Sequence, residues 1–133
     1  MGQPAAKQDD DVIAVDTHIV MVPTPGGPVP TPLPHPFTGK LDSELVATVK
    51  IGGKAAATVD SVASNQPAHI ATPPGTSFQS PAKDKGTVKV GSGTVKIGGK
   101  AAARMGDSVE TCNDPSDMPV GSIIAAGTVM VGG

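Results

Sequence analysis

The chain carries three histidines and one cysteine, His18, His35, His69 and Cys112. Imidazole nitrogen and thiolate sulfur are the donors that zinc takes in a tetrahedral shell. Three His and one Cys fill all four positions and leave none for water, so such a site would be structural and not hydrolytic. The four residues lie in separate segments, and a shared ion would tie those segments together. Their spacings of 17, 34 and 43 residues match no local zinc-finger pattern. A plainer reading therefore stands beside the metal: solvated loop histidines and a cysteine acting as a small buried hydrophobe. Pro34 and Pro36 flank His35 and would fix its ring at low entropic cost. Other catalytic patterns are absent, with no H-E-x-x-H, no G-x-S-x-G and no phosphate-cradling Gly-Lys-Ser/Thr loop. The run Asp9-Asp10-Asp11 reads as a solvated acidic stretch. Asp60 and Asp107, each shortly after a repeated segment, read as turn residues.

The elements that must position these donors are small-residue strands and turns. Among 133 residues there are 17 Gly and 14 Pro, no Trp and no Tyr, and Phe37 and Phe78 are the only aromatics. Leu occurs at 33, 41 and 45 alone, and the remaining apolar residues are mostly Val, Ile and Ala. β-Branched residues suit pleated, half-buried surfaces, so an all-β chain is expected. Its core would be thin, and a chain of this size needs reinforcement from a metal, a disulfide or a partner. One cysteine excludes a disulfide within the chain. The net charge of −2 and the lack of a basic run argue against a nucleic-acid partner. Residues 1–11 are polar and acidic, without the apolar core of a signal peptide, and read as a flexible segment ahead of one domain over 12–133. Synthesis as a soluble cytoplasmic protein is the expectation.

The decapeptide TVKIGGKAAA stands at 48–57 and again, letter for letter, at 94–103. In each copy a β-branched segment meets a Gly-Gly pair suited to a positive-φ hairpin turn, and a short Lys-Ala-Ala-Ala segment returns. Val49 and Ile51 share one face, as do Val95 and Ile97. Related pieces occur at GTVKVG (86–91) and GTVMVGG (127–133), which carries Val129 and Val131. Units this small cannot bury their own apolar face and must associate around a shared core. The units imply a compact body with approximate threefold pseudosymmetry; plain duplication without symmetry is the alternative. The proline-rich stretch 21–39 reads as extended or polyproline-like, unable to join a central ladder.

The second repeat, VKIGGKAAARMGDSVETC, resembles the PAAR-repeat family, named for Pro-Ala-Ala-Arg followed by Gly-Asp. The motif stands here as Ala101-Ala102-Ala103-Arg104 with Gly106-Asp107, and the first repeat departs further, as Ala55-Ala56-Ala57-Thr58 with Val59-Asp60. DTHIVMVPTPGGPVPTPLPHPFTG looks like the N-terminal segment of PAAR-like proteins in contractile injection systems, so the resemblance runs from about Val12 to Gly133. It implies a small β cone with pseudo-threefold symmetry. Its base would cap a homotrimeric β-helical spike, of the valine-glycine repeat type or its phage-tail equivalent. Its apex would hold one Zn2+ on His18, His35, His69 and Cys112.

On that resemblance the expected role is a non-enzymatic spike tip that sharpens the spike for piercing a target envelope. Val49, Ile51, Val95, Ile97, Val129 and Val131 are the expected spike-facing residues. Toxin effectors would bind separately, since no toxin domain is expected beyond Gly133. The tip would be made in the bacterial cytoplasm, assembled on the particle and delivered to the target cell. The host machine is a type VI secretion system or an extracellular phage-tail-like particle, with the proline-rich segment favouring the latter. Two rivals from other classes remain: a metal-free secreted β-repeat adhesion module, and a small zinc hydrolase using Asp16 or Asp114 as base.

Overall fold

A computed structural model describes residues 2–132. Thirteen strands and no helix are found among them: β1 Gln3–Pro4, β2 Asp11–Val22, β3 Val29–Ser43, β4 Val46–Ile51, β5 Lys54–Ala56, β6 Val62–Asn65, β7 Ser77–Phe78, β8 Lys85–Val88, β9 Lys96–Ile97, β10 Lys100–Ala101, β11 Ser108–Thr111, β12 Met118–Ile124 and β13 Met130–Val131. Six of them close into a small barrel in the order β12-β11-β8-β6-β3-β2, with β2 returning to β12. The short β7 adds to the far end of β2, through Val20 and Met21. Closure leaves a sheet this small without open edges along the ring.

The ring consists of three antiparallel strand pairs, β2–β3, β6–β8 and β11–β12. Each pair is entered from an alanine-rich motif and left through a base strand: β4, β9 or β13. The third motif is Pro4-Ala5-Ala6-Lys7, at the other end of the chain from its base strand, and β1 and β13 pair to complete the third hairpin. The three units match bond for bond. Ala6 N–H donates to Ala103 O (2.9 Å), Ala103 N–H to Ala57 O (3.0 Å) and Ala57 N–H to Ala6 O (3.1 Å). A second cycle joins Gln8 to Ala55, Val59 to Ala101 and Met105 to Pro4, each at 2.9 Å. Asp9, Asp60 and Gly106 then take positive φ values of 71°, 79° and 85° at one turn position. Their amides donate to Leu41, Val88 and Ile123, each at 2.9 Å. Threefold pseudosymmetry is thus a property of the backbone.

The motif chemistry follows from that turn. The backbone N–H of Lys7, Thr58 and Arg104 donates to the side chain three residues on, Asp10, Ser61 and Asp107. Arg104 adds a bidentate pair, Nε to Oδ2 at 3.1 Å and Nη2 to Oδ1 at 2.9 Å of Asp107. Asp107 and Asp60 are turn residues, as their position in the sequence implies. Close strand approach explains a second periodic feature, since Gly39, Gly86 and Gly121 each lie two residues before Leu41, Val88 and Ile123. A Cβ at these glycines would come within 2.8 Å of Ser64 O, 2.9 Å of Val109 Cγ1 and 2.9 Å of Thr111 Cγ2.

Two sequence expectations need correction. The stretch expected to be a flexible lead-in, residues 1–11, is anchored within its described part: Ala5 and Ala6 are 2% and 0% exposed and belong to the two apolar cores. Only small side chains fit at the threefold axis, and Pro4-Ala5-Ala6 supplies them. The proline-rich stretch also does join a ladder, because β3 pairs with β2 from Val29↔Val22 through Lys40↔Asp11. In an antiparallel strand successive residues direct their N–H to opposite sides. Pro30, Pro32, Pro34 and Pro36 alternate, so their missing donors all fall on the edge away from β2. There β6 begins its pairing only at Gly39.

Deleting residues 1–7 removes one unit of both bond cycles together with two buried alanines. Urea unfolding should show a loss on the order of 3–5 kcal/mol, at roughly 1 kcal/mol per lost backbone bond. A freely flexible segment would leave the midpoint where it was.

Candidate metal centre

The barrel interior changes character along its length. Toward the alanine cycle it is apolar, packed by Val12, Leu41, Val88, Val109 and Ile123 around Phe37. Farther along β2, alternate inward positions carry Asp16 and His18, both buried. Strand periodicity places residues two apart on one face, so Asp-x-His in an extended segment sets both side chains inward. His69 enters from the segment between β6 and β8, and Cys112 directly follows β11. One donor atom from each of Asp16, His18, His69 and Cys112 lies within 4.8 Å of the others. All three pseudosymmetric units therefore contribute to one cluster.

Both Cys112 spacings suit a metal, and the third close spacing is a hydrogen bond. Cys112 Sγ is 3.7 Å from His18 Nε2 and 3.5 Å from Asp16 Oδ2, and His69 Nε2 is 2.9 Å from that same Oδ2. Tetrahedral bonds of about 2.0–2.3 Å put ligand atoms roughly 3.3–3.8 Å apart. A layer of polar groups orients the donors from behind. Asp16 Oδ1 accepts from Thr111 Oγ1 and, at 3.5 Å, from Asn113 Nδ2, while Asn113 Oδ1 accepts the Thr17 N–H at 2.6 Å. His18 Nδ1 is buried without a hydrogen bond of good geometry, yet it lies 3.5 Å from Asp114 Oδ2. A carboxylate behind the second ring nitrogen is the usual support of a metal-bound imidazole. Asp84 Oδ1 accepts the His69 N–H at 2.8 Å and fixes that segment. Phe78 packs on the rings of His18 and His35, and Phe37 on that of His69.

The thiol's surroundings decide its charge. Burial first, and then the Asp16 carboxylate, push Cys112 up to about 11. Without a cation the group is a neutral thiol at neutral pH and a poor nucleophile. A dication would remove its proton and balance the adjacent carboxylate. The group could hold a metal ion. A cavity of about 240 Å³ reaches His18 and Cys112 past Lys83, Asp114 and Asp117. A second, of about 310 Å³, reaches His35 and His69.

His35 is in the same chamber but engaged differently. It is buried, with its ring centroid 5.3 Å from that of His18 and 5.7 Å from that of His69. Nδ1 donates to Leu33 O at 2.9 Å, and Nε2 accepts the Thr72 N–H at 3.1 Å. Desolvation lowers its pKa and holds the ring neutral, consistent with one donor and one acceptor nitrogen. Of the four donors expected from the sequence, the structure joins His18, His69 and Cys112, and adds Asp16. The spacing of Asp16 from His18 was the sequence signal for that addition.

The six residues expected to face a partner gather at the other end. Ile51 and Val131 are buried in a second apolar cluster with Ala5, Ala56 and Ala102, against which Val49, Val95 and Ile97 pack half-buried. Val129 is 45% exposed. No family model, curated protein or solved structure matches the chain.

Binding of Zn2+ to the metal-free protein near neutral pH should release about one proton per ion from Cys112. Calorimetry in buffers of different ionisation heat reads this directly. Uptake with no proton release would remove the thiolate from the site.

Proposed function

We propose that this protein is the spike tip of a contractile injection system, a PAAR-like cap seated on a homotrimeric β-helical spike. The observation that carries the reading is the closed backbone cycle of Ala6, Ala57 and Ala103. A single chain meeting three identical chains on one axis needs three equivalent faces. The hairpins β4–β5, β9–β10 and β1–β13 supply them around that cycle. Short strands at such a face can extend the ladders of a β-helical end and cover its open edges.

The metal cluster supports the same reading. A barrel with few large side chains has little cohesion of its own, and a metal drawing on all three units would stiffen the end remote from the spike. That end would meet the target membrane as the sheath contracts. The role is mechanical and non-enzymatic, with the donors of the cluster facing inward. Effectors would attach separately. No helix among the described residues is long and apolar enough to cross a membrane. Synthesis in the bacterial cytoplasm, followed by export with the particle, accords with this role.

The test is co-purification with the trimeric spike protein of the same machine, with stoichiometry read by native mass. One cap per trimer is expected. Ile97→Asp should abolish capping, and Val129→Asp, at an exposed position that leaves the core intact, should weaken it at least tenfold. Thermal melts confirm that the second variant is folded. Undiminished capping by a folded Val129→Asp and by Ile97→Asp would sink the assignment of this face.

A further inference from the structure

We infer that the hairpin end of the protein holds one open pocket, which takes a single aliphatic side chain from one of the three spike chains. The inference rests on the spike-tip reading and deepens it. It starts from a position where the three units differ. Val46, Ser92 and Ala126 are equivalent, each two residues before the threonine that opens Thr-Val-Lys-Ile at 48 and 94 and Thr-Val-Met-Val at 128. Each stands beside the turn of the next hairpin around the axis. Val46 fills its groove, so that a Cβ on Gly98 would lie 3.2 Å from Val46 Cγ2. Ser92 closes the second groove: it is 1% exposed, and its Oγ donates to Gly132 O at 2.6 Å. Ala126 is exposed and too short to reach the turn beside it, where a Cβ on Gly52 would meet nothing within 4 Å. A cavity of about 210 Å³ is left there, between Ala5, Ile51 and Gly52 on one side and Ala126, Gly127 and Val129 on the other.

The equivalent grooves show what this one can take. One holds a branched aliphatic side chain, and the other holds a hydroxyl bonded to the turn carbonyl. The walls of the open pocket favour the aliphatic occupant. Val129 is 45% exposed beside it, whereas its equivalents Val49 and Val95 pack half-buried against the apolar cluster. Lys7 brings a charge to the rim, but its Nζ is paired with Asp10 at 3.1 Å and donates to Ala126 O at 2.9 Å. An acidic occupant would therefore find no unpaired cation, while an aliphatic one would cover apolar surface. The pocket is continuous with the face proposed to meet the spike, since Ile51 and Val129 belong to both. A homotrimer presents three copies of any residue around its axis. Two of the copies meet grooves that this chain has already filled, and they must turn aside. The capped trimer then departs from threefold symmetry at its end by one seated side chain.

The experiment fills the pocket from within. Ala126→Val copies Val46, Ala126→Ser copies Ser92, and both are titrated as full chains against the trimeric spike protein by native mass. Each variant alone should melt at or above the wild-type temperature. Ala126→Val should weaken capping by about tenfold or more, the loss of one buried aliphatic side chain, and Ala126→Ser should weaken it less. Electron cryo-microscopy of the wild-type complex without threefold averaging should show one spike chain with a side chain in the pocket and two turned away. That image decides the matter even where Ala126→Val fails to fold. Wild-type affinity in a folded Ala126→Val, or an empty pocket in the complex, would overturn the inference and leave the cap in place. A wild-type chain that dimerises alone and loses the dimer in Ala126→Val would overturn it in favour of a second copy. A wild-type chain that leaves the trimer uncapped removes the spike-tip reading and this inference with it.

Discussion

Three alanine backbones close on one another near the pseudo-threefold axis, each N–H bonded to the carbonyl of the next unit. The rest of the architecture depends on that cycle. It requires side chains no larger than a methyl group at Ala6, Ala57 and Ala103, all of them buried. It fixes the turn that follows each motif and thereby the point at which each barrel strand begins. It also demands three units from a chain that shows two complete copies in sequence order. The third is assembled from both ends, with Gln3–Pro4 paired to Met130–Val131.

From this cycle the barrel rises in two layers. Near it, side chains of moderate size and three glycines at equivalent positions let six strands approach closely. Such a layer excludes water but has little mass to resist deformation. Farther along, the symmetry is broken on purpose: the connections between paired strands differ in length, and each unit brings different donors. Asp16 and His18 come from a long strand, His69 from a long connection and Cys112 from a strand end. The polar cluster is thus a junction of units that are otherwise held by backbone bonds and methyl groups, and it could hold a metal ion.

The sequence made much of this legible. The identical decapeptides predicted the hairpins, the β-branched composition predicted an all-β chain, and the count of His and Cys pointed to the chamber. Two signals were present but obscured. Pro4-Ala5-Ala6-Lys7 differs from Pro-Ala-Ala-Arg at one letter, as Ala101-Ala102-Ala103-Arg104 does, but it stands among polar residues at the far end from its base strand, so it read as a loose terminus. The prolines of β3 looked incompatible with a ladder because a proline count carries no information about which edge each nitrogen faces. Their even spacing was the clue, since alternation puts every one on the same edge.

What the sequence by itself determined is local: hairpin turns at Gly-Gly pairs, inward and outward faces of strands, and a short inventory of metal donors. Only the tertiary structure decided which donors meet. His35 is an expected donor in the chain and Asp16 is not, yet the two are cross-strand neighbours in the barrel. Their surroundings differ: Thr111 and Asn113 hydrogen-bond the one, while Leu33 and Thr72 engage the nitrogens of the other. A side chain's free lone pair depends on every group packed around it, and those groups come from segments whose proximity is set by barrel closure.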